Sequence, residues 1–269
     1  MAATNADADR DVDVEADIDA EPPAKTHDRL RKCVDLLEGV YGLPKSRGSG
    51  PVDLLVQTIL SQNTTSANTH RAFENLKRKY PDYQTLLDAP DEEVARQIRC
   101  GGLANIKTKR IKEALEKIRA RGVREEWEVV VKGAERDEMA RKAGKTGMIN
   151  LDFLKDADPK EARDYLLTLP GVGPKTAAVV LLFAFKMPLL PVDTHVNRLS
   201  RRLGFVPEEA SIDEAERILE EITPQDKYCS FHVNLIRHGR AVCKARSPSC
   251  DECVLRGICP YPDRAGQKG

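Results

Sequence analysis

Residues 158–185 read DPKEARDYLLTLPGVGPKTAAVVLLFAF, and this stretch predicts two helices joined by a short turn. An Asp-Pro pair opens the first helix, because proline has no N–H to lose at the first helical position. Gly171 and Gly173 can take positive φ angles and let another backbone come close, while Pro174 suits the start of the second helix. The sequence therefore predicts a tight helix-turn-helix corner.

The glycine-rich turn does not fit a nucleotide loop. A P-loop needs glycine directly before the Lys-Thr pair, where Pro174 stands, and another five positions earlier, where Leu169 stands. The amides of the turn and of the helix start would favour an anion such as a DNA phosphate. An ordinary corner between two packed helices is the alternative, and the glycines alone do not separate the two.

Lys175 stands at the second position of the second helix, where the positive end of the helix dipole disfavours an ammonium. Desolvation there would lower the pKa of the amine and make it a nucleophile, with phosphate binding as the alternative role. Asp193 can return to this point, because an extended linker of eight residues spans up to about 26 Å. It is also a candidate N-cap of the next helix, and the two roles are compatible.

The segments LPGVGPKTAAVVL and PVDTHVNRLSRRLG resemble the helix-hairpin-helix and Gly/Pro…Asp signature of the endonuclease III family of DNA glycosylases, within the HhH-GPD superfamily. The resemblance implies that Lys175 attacks C1′ of a damaged nucleotide and that Asp193 assists departure of the base. The resulting Schiff base would then undergo β-elimination and cut the strand. The turn residues Gly171, Val172 and Gly173 would bind DNA.

Four cysteines follow a C-x6-C-x2-C-x5-C pattern near the C-terminus: Cys243, Cys250, Cys253 and Cys259. So many clustered thiols in a reducing compartment indicate a metal site, and zinc and a 4Fe-4S cluster both accept four cysteines. The spacing resembles the cluster loop of the endonuclease III family, which implies a 4Fe-4S cluster rather than zinc. The other three cysteines are expected to be core thiols: Cys33, Cys100 and Cys229.

Several further residues are candidate DNA contacts. Lys244 and Arg246 lie between the cysteines and would meet phosphates, with a solvated basic loop as the alternative. The segment ILSQNTTSANTH resembles the family motif that enters the duplex, which makes Gln62 the candidate filler of the gap left by a flipped base, although a polar helix end also explains it. CGGLANIKTKRI resembles the family loop with an apolar wedge, here Leu103, although a buried loop leucine is the alternative.

The chain of 269 residues holds 43 basic and 43 acidic side chains, which are unevenly distributed. Residues 1–25 contain eight acidic side chains and two basic ones, and this composition predicts a disordered leader that aids solubility or masks a basic groove. The remainder has 41 basic and 35 acidic side chains, a mild excess compatible with a polyanionic partner. We find no signal peptide and no membrane-spanning stretch, which predicts an intracellular protein of the cytoplasm or nucleoid.

Helical periodicity from residue 26 onward predicts an all-α fold, with residues 52–60 as a central buried helix. A β-prone run at 127–131 lies in the charged segment 122–147, which is predicted to be an excursion from the helical body. The resemblance implies two helical lobes with a DNA-binding cleft between them. The expected domains are a six-helix barrel-type domain at 43–186 and an iron-sulfur domain made of 26–42 and 187–263, followed by a tail at 264–269.

The sequence thus predicts a DNA glycosylase of base excision repair with AP-lyase activity. Its expected substrate is double-stranded DNA with a damaged base, preferably an oxidised pyrimidine, or with an abasic site, and the protein is expected to be monomeric. The alternatives are a mismatch-specific thymine, uracil or adenine glycosylase of the same superfamily and a non-catalytic iron-sulfur DNA-binding protein. By the resemblance, Lys175 argues against a purely monofunctional glycosylase, because such enzymes generally lack a lysine there. The pair Lys175 and Asp193 argues against a non-catalytic protein, which does not need both.

Overall fold

The structure is a computed structural model that describes residues 23–44, 49–130 and 149–266. Every regular element in these ranges is a helix, which confirms the predicted all-α fold. The predicted leader lies outside the described residues as far as residue 22, and the first helix begins at Pro23. No helix in the described ranges combines the length and the apolar character that a membrane crossing requires.

We number the α-helices in chain order over the described residues. They are α1 (Pro23–Tyr41), α2 (Pro51–Leu60), α3 (Ser66–Lys79), α4 (Tyr83–Asp88), α5 (Asp91–Ile98), α6 (Ala104–Val130), α7 (Pro159–Leu167), α8 (Pro174–Val180), α9 (Thr194–Arg202), α10 (Ile212–Ile222), α11 (Tyr228–Ala241) and α12 (Tyr261–Gly266). A π-helix, Leu181–Phe185, continues α8 directly. Short 3-10 helices cover Arg99–Gly101, Asp152–Leu154, Gln225–Lys227 and Cys250–Glu252.

Side chains that the sequence marks as caps hold two of the helix starts. Asp158 accepts a hydrogen bond from the backbone N–H of Lys160 at 2.9 Å and so caps α7. Ser211 and Glu214 form a reciprocal capping box at the start of α10. These bonds satisfy amides that a helix start leaves open, and the bond from Lys160 confirms the predicted start of α7.

The buried apolar side chains form two clusters. The first draws on residues 52–189 and has α2 at its centre, where Leu55 and Ile59 are completely buried, as the apolar pattern of that helix predicts. The second is built from one face of α1, residues 190–255 and Leu182. Leu181, the residue before Leu182, packs in the first cluster. The π-helix that continues α8 therefore contributes side chains to both clusters. The apolar side chains thus pack around two centres, and Met187 and Leu189 belong to the first of them.

Two segments differ from the sequence-based expectation. The β-prone residues up to Val130 continue α6, because the amphipathic helix that precedes them extends into a run rich in arginine and glutamate, which are good helix formers. The rest of the predicted excursion, through residue 147, lies outside the described residues. The last helix, α12, extends to Gly266, so the first residues of the predicted tail at 264–269 are helical.

Candidate active site and metal centre

The turn between α7 and α8 requires glycine at one position for two reasons. Gly171 has a φ of 79°, a left-handed conformation that costs other residues free energy. A Cβ built on Gly171 would also lie 2.8 Å from Cδ of Arg110, whose side chain packs against the turn. Gly173 is the N-cap of α8 and provides no side-chain cap, so the first amides of α8 are left for another acceptor.

Lys175 is half-buried in the first turn of α8. Burial lowers the pKa of its amine, the carboxylate of Asp193 opposes this shift, and the guanidinium of Arg240 adds to it. The mutual influence of these charges shows that the chain brings Asp193 back to the neighbourhood of Lys175, although eighteen positions separate them in the sequence. A lowered pKa gives a larger fraction of neutral amine, the form that can act as a nucleophile.

Asp193 is the N-cap of α9, as one of its two predicted roles requires. Its Oδ1 accepts hydrogen bonds from the backbone N–H groups of His195 and Val196, both at 2.9 Å. These two bonds fix the carboxylate with respect to α9 and use the same oxygen atom. The cap therefore orients the side chain without occupying both of its oxygens with these amides.

A cavity of about 670 Å³ is lined by Lys175 and by side chains of α2, α3, α8 and α11. Its size is in the range of small-molecule binding sites. Much of the wall is polar, with Gln57, Thr58, Ser61, Ser66, Thr69 and His70. Phe73 is the aromatic member of the lining. The cavity can therefore take a group that combines a flat or puckered ring with hydrogen-bonding edges.

His232 lines the same cavity and was not among the sequence-predicted residues. Its Nδ1 lies 2.7 Å from the carbonyl oxygen of Pro191, and since a carbonyl only accepts, Nδ1 must carry the proton. Burial lowers the pKa of His232 to about 4, while the charge of Asp193 opposes this shift. The imidazole is therefore neutral near pH 7 and holds the chain two residues before Asp193.

Two arginines connect the elements around the site. Nη1 of Arg240, on α11, donates to Oγ of Ser66 at 2.7 Å and so contacts the start of α3. Nη2 of Arg198, on α9, donates to the carbonyls of Gly239 at 3.1 Å and Cys243 at 3.0 Å. The second set of bonds ties the helix that carries Asp193 to the segment where the cysteines begin.

The two predicted duplex-entering residues have different surroundings. Gln62 is half-buried and bonded within the protein: its Nε2 donates to the Gly171 carbonyl at 2.9 Å and its Oε1 accepts from Arg110 at 3.2 Å. Its neighbour Asn63, which the sequence analysis did not single out, is exposed and has a φ of 52°. Leu103 is 51% exposed with a φ of 49°, so it is not a buried loop leucine.

The four clustered cysteines line one small cavity, together with residues such as Arg202 and Tyr261. In the described parts of the chain, no group of three or more His, Cys, Asp or Glu side chains is arranged around a single-ion position. Four thiols around one shared cavity fit a 4Fe-4S cluster, which four cysteine thiolates would hold.

The chemistry of the thiols also fits a cationic occupant. Burial, and after it the charge of neighbouring thiolates, raises the pKa of Cys253 and Cys259. Metal binding reverses this effect, because a bound cation stabilises the thiolate form. Nη1 of Arg202 lies 3.2 Å from Sγ of Cys243, and Nε2 of His238 lies 3.2 Å from Sγ of Cys253. Lys244 and Arg246 are exposed on the same loop.

Comparison with protein families agrees with this arrangement. A family model described as HhH-GPD superfamily base excision DNA repair protein matches residues 56–225. A second model, the iron-sulfur binding domain of endonuclease III, matches residues 243–259. The first match covers more than half of the chain, from α2 to the end of α10. The chain therefore belongs to the HhH-GPD superfamily of base excision DNA repair proteins.

Individual relatives narrow the assignment. Endonuclease III of Thermotoga maritima is 32% identical over 217 residues, which cover 81% of this chain and 86% of the relative. Endonuclease III of Bacillus subtilis is 34% identical over 221 residues, with coverage of 82% and 86%. A solved non-covalent endonuclease III-DNA complex superposes with a TM-score of 0.69 at 29% identity and covers 90% of this chain and 98% of that one.

A trapped endonuclease III-DNA covalent intermediate superposes with a TM-score of 0.67, also at 29% identity, with coverage of 89% and 98%. The chain belongs to the endonuclease III family. It is a DNA glycosylase of base excision repair that binds DNA, and its cofactor is a 4Fe-4S cluster. These findings confirm the predicted family, the predicted DNA glycosylase and the predicted cofactor.

Proposed function

We propose that this glycosylase is bifunctional and that Lys175 is the nucleophile of both its glycosylase and its AP-lyase reactions. The carrying observation is the position of the Lys175 amine, half-buried in the wall of the 670 Å³ cavity with a lowered pKa. A neutral amine can attack a sugar carbon, whereas a lysine that only binds phosphate gains nothing from losing its charge. One relative is known as a trapped covalent complex with DNA, which supports the same chemistry here.

The proposed reaction begins when Nζ of Lys175 attacks C1′ of the damaged nucleotide. The bond between C1′ and the base breaks, and the base leaves with the electron pair and takes up a proton. Asp193 is near enough for its carboxylate to influence the amine, so it can stabilise the positive charge that develops on the sugar and on Nζ. Loss of a proton from nitrogen and opening of the sugar ring give a Schiff base between Lys175 and C1′.

The Schiff base makes the proton on C2′ acidic. When that proton is transferred to water in the cavity, the electrons form a C2′–C3′ double bond and the C3′–O bond breaks. The 3′ phosphate leaves, and the strand is cut. Hydrolysis of the Schiff base then returns the free amine of Lys175.

DNA is proposed to contact several elements around this reaction. The turn of Gly171, Val172 and Gly173 and the first amides of α8 bind a phosphate. The exposed Lys244 and Arg246 bind phosphates from the cysteine loop, and such contacts give affinity without sequence preference.

Leu103 and the segment of Gln62 and Asn63 are proposed to enter the duplex where the damaged base leaves it. Insertion of Gln62 would break its bonds to Gly171 and Arg110. We therefore propose that Asn63 inserts into the duplex and that Gln62 holds this segment in place.

The proposed substrate is an oxidised pyrimidine. The cavity is lined by Thr58, Ser61 and Thr69, whose hydroxyl groups each donate to a backbone carbonyl. Their oxygen atoms can still accept from the added hydroxyl groups of an oxidised ring. An unmodified thymine in a mismatch presents fewer partners for these groups. We further propose that the enzyme acts as a monomer on the DNA of the cytoplasm or nucleoid.

Cys243, Cys250, Cys253 and Cys259 are the proposed ligands of the 4Fe-4S cluster. When bound, the positive core of the cluster would offset part of the charge of the four thiolates, and the cluster would be able to exchange one electron. Arg202 donates to the carbonyls of Lys244 at 2.8 Å and Ala245 at 3.0 Å. It therefore holds the backbone that presents the basic side chains of the loop.

Borohydride trapping tests the nucleophile. Wild-type protein is incubated with duplex DNA that contains thymine glycol or an abasic site, and reduction should trap a covalent complex. Lys175→Ala should give none, whereas Lys160→Ala, an exposed lysine on the neighbouring helix α7, should match wild type. Absence of a complex with wild type, or its persistence in Lys175→Ala, would overturn the proposal.

A further inference from the structure

Lys107, on α6, is a buried lysine with no part in the chemistry proposed above. It is 1% exposed, and its Nζ donates to the carbonyls of Leu60 and Gly101, each at 2.8 Å. Burial lowers the pKa of the amine. Lysine is almost never buried to this degree without a specific partner, and both partners of Lys107 are backbone atoms.

The two carbonyls belong to the segments that carry the exposed residues of the proposed DNA interface. Leu60 ends α2, and Asn63 follows it by three residues. Gly101 ends a 3-10 helix, and Leu103 follows it by two residues. Because a chain advances at most about 3.6 Å per residue, each exposed side chain starts within roughly 11 Å of its anchored carbonyl.

Both exposed residues also have unusual backbones. Asn63 and Leu103 have φ angles of 52° and 49°, in the left-handed region, which asparagine enters more readily than leucine does. A leucine stays in such a conformation only when the surrounding structure holds it there. The two hydrogen bonds of Lys107 restrain the backbone just before Asn63 and just before Leu103. Both bonds come from the same atom, Nζ.

We propose that Lys107 is the positioning residue that fixes the separation of Asn63 and Leu103, so that the two side chains enter the duplex as one unit. This inference rests on the proposed function of that surface. The two carbonyl oxygens cannot move apart without breaking a bond to the shared Nζ. An ammonium suits this place, because the carbonyls at the end of α2 carry the negative end of the helix dipole.

The same helix offers a matched control. Nζ of Lys112 donates to the carbonyl of Ala89 and to Oδ1 of Asp91, both at 2.7 Å. It too joins α6 to a backbone carbonyl, here between α4 and α5 and away from Asn63 and Leu103. Lys112→Met therefore removes a comparable anchor with a comparable change of side chain.

Lys107→Met and Lys112→Met are compared on two substrates under single-turnover conditions. On duplex DNA with thymine glycol, Lys107→Met should release the base about tenfold more slowly than Lys112→Met. On a single-stranded abasic oligonucleotide, which has no partner strand to invade, both variants should cut within about twofold of wild type. Equal losses on the two substrates would overturn the positioning role.

A double-mutant cycle with Leu103→Ala separates positioning from general destabilisation. Once the wedge is removed, Lys107→Met should cost about twofold or less in base release, because the two residues act through one step. Full additivity of the two losses would contradict the inference. If Lys107→Met does not fold by circular dichroism, Lys107→Gln, which keeps an amide donor on a shorter side chain, takes its place with the same expected pattern.

A binding measurement separates this inference from the proposed chemistry. The fluorescence of 2-aminopurine, placed opposite a tetrahydrofuran abasic analogue, reports side-chain insertion without any reaction. Lys175→Ala should give the wild-type signal, whereas Lys107→Met should lose it at saturating protein. An unreactive wild type with a normal signal would overturn only the proposed lyase chemistry, and a full signal from Lys107→Met would overturn only the role of Lys107.

Discussion

Nη1 of Arg240 donates to Oγ of Ser66 at 2.7 Å and thereby joins α11 to the first residue of α3 beside the cavity that Lys175 lines. The two helices pack mainly in different hydrophobic clusters, so this bond connects the two halves of the molecule at the site. The guanidinium also lowers the pKa of the Lys175 amine, after the larger effect of burial. One exposed arginine thus combines a structural contact with an electrostatic effect on the nucleophile.

The first prediction concerns this electrostatic effect. In Arg240→Gln the amine loses a neighbouring cation, so the pKa of Lys175 should rise and the neutral fraction at pH 7 should fall. The rate of borohydride trapping should therefore drop at neutral pH and recover as the pH is raised. Arg237→Gln serves as the control, because that arginine, on the same helix, bonds to the Tyr41 carbonyl and Asn234 instead. An unchanged pH profile in Arg240→Gln would contradict the effect.

The second prediction separates the two roles of Asp193. Asparagine is as good an N-cap as aspartate, so Asp193→Asn should keep the bonds from His195 and Val196 and melt close to wild type. Base release should nevertheless fall by about 10²-fold or more, because the carboxylate charge is lost. Asp193→Ala should lose both the cap bonds and base release. Urea unfolding should show its free energy of unfolding lowered by about 1 kcal/mol, the usual cost of a lost N-cap. Equal stability of the two variants would argue against the capping role.

The third prediction tests the turn. Gly171→Ala should lower the free energy of unfolding by at least about 1–2 kcal/mol, since alanine is strained at a φ of 79° and its Cβ would contact Arg110. Gly173→Ala should cost much less, because nothing lies within 4 Å of a Cβ at that position. Chemical denaturation of the two variants gives the comparison. A similar loss in both would show that the close approach of Arg110 does not determine the turn.

Sequence alone predicts the parts of this site whose signal is local. The hairpin, Lys175 and the caps at Asp158 and Asp193 follow from residue types that favour particular helix positions, and the cysteine spacing marks its own loop. In contrast, Lys107 and His232 depend on which distant carbonyls they meet, and only the packed fold determines that. No periodicity distinguishes either of them from an ordinary helical residue.

The prediction of a β-prone run at the end of α6 was wrong for a related reason. The β-prone run near its end is too short for its local preference to compete with the continuation of a long helix. At Gln62 the motif indicates a duplex contact, which stays a prediction, and the fold adds what the motif could not show, namely that the side-chain amide bonds to Gly171 and Arg110.

The last prediction concerns His232, whose Nδ1–H bonds to the Pro191 carbonyl and so restrains the chain that leads to Asp193. The side-chain amide of asparagine can replace an Nδ1–H donor, whereas glutamine places its donor nearer to Nε2. His232→Asn should therefore retain most of the base-release activity and His232→Gln should lose most of it. The opposite order would mean that Nε2, and not the bond to Pro191, is the important atom.

Stability against pH gives an independent measurement of the same group. The pKa of His232 is lowered from 6.5 to about 4 on folding, so the unfolded chain binds the proton more tightly. The contribution of the neutral ring is complete above pH 6.5 and is lost as the pH falls from 6.5 toward 4. Urea unfolding across this window should therefore show a steeper loss of stability for wild type than for His232→Asn, which has no group that titrates there. Parallel curves would show that the buried imidazole does not resist protonation.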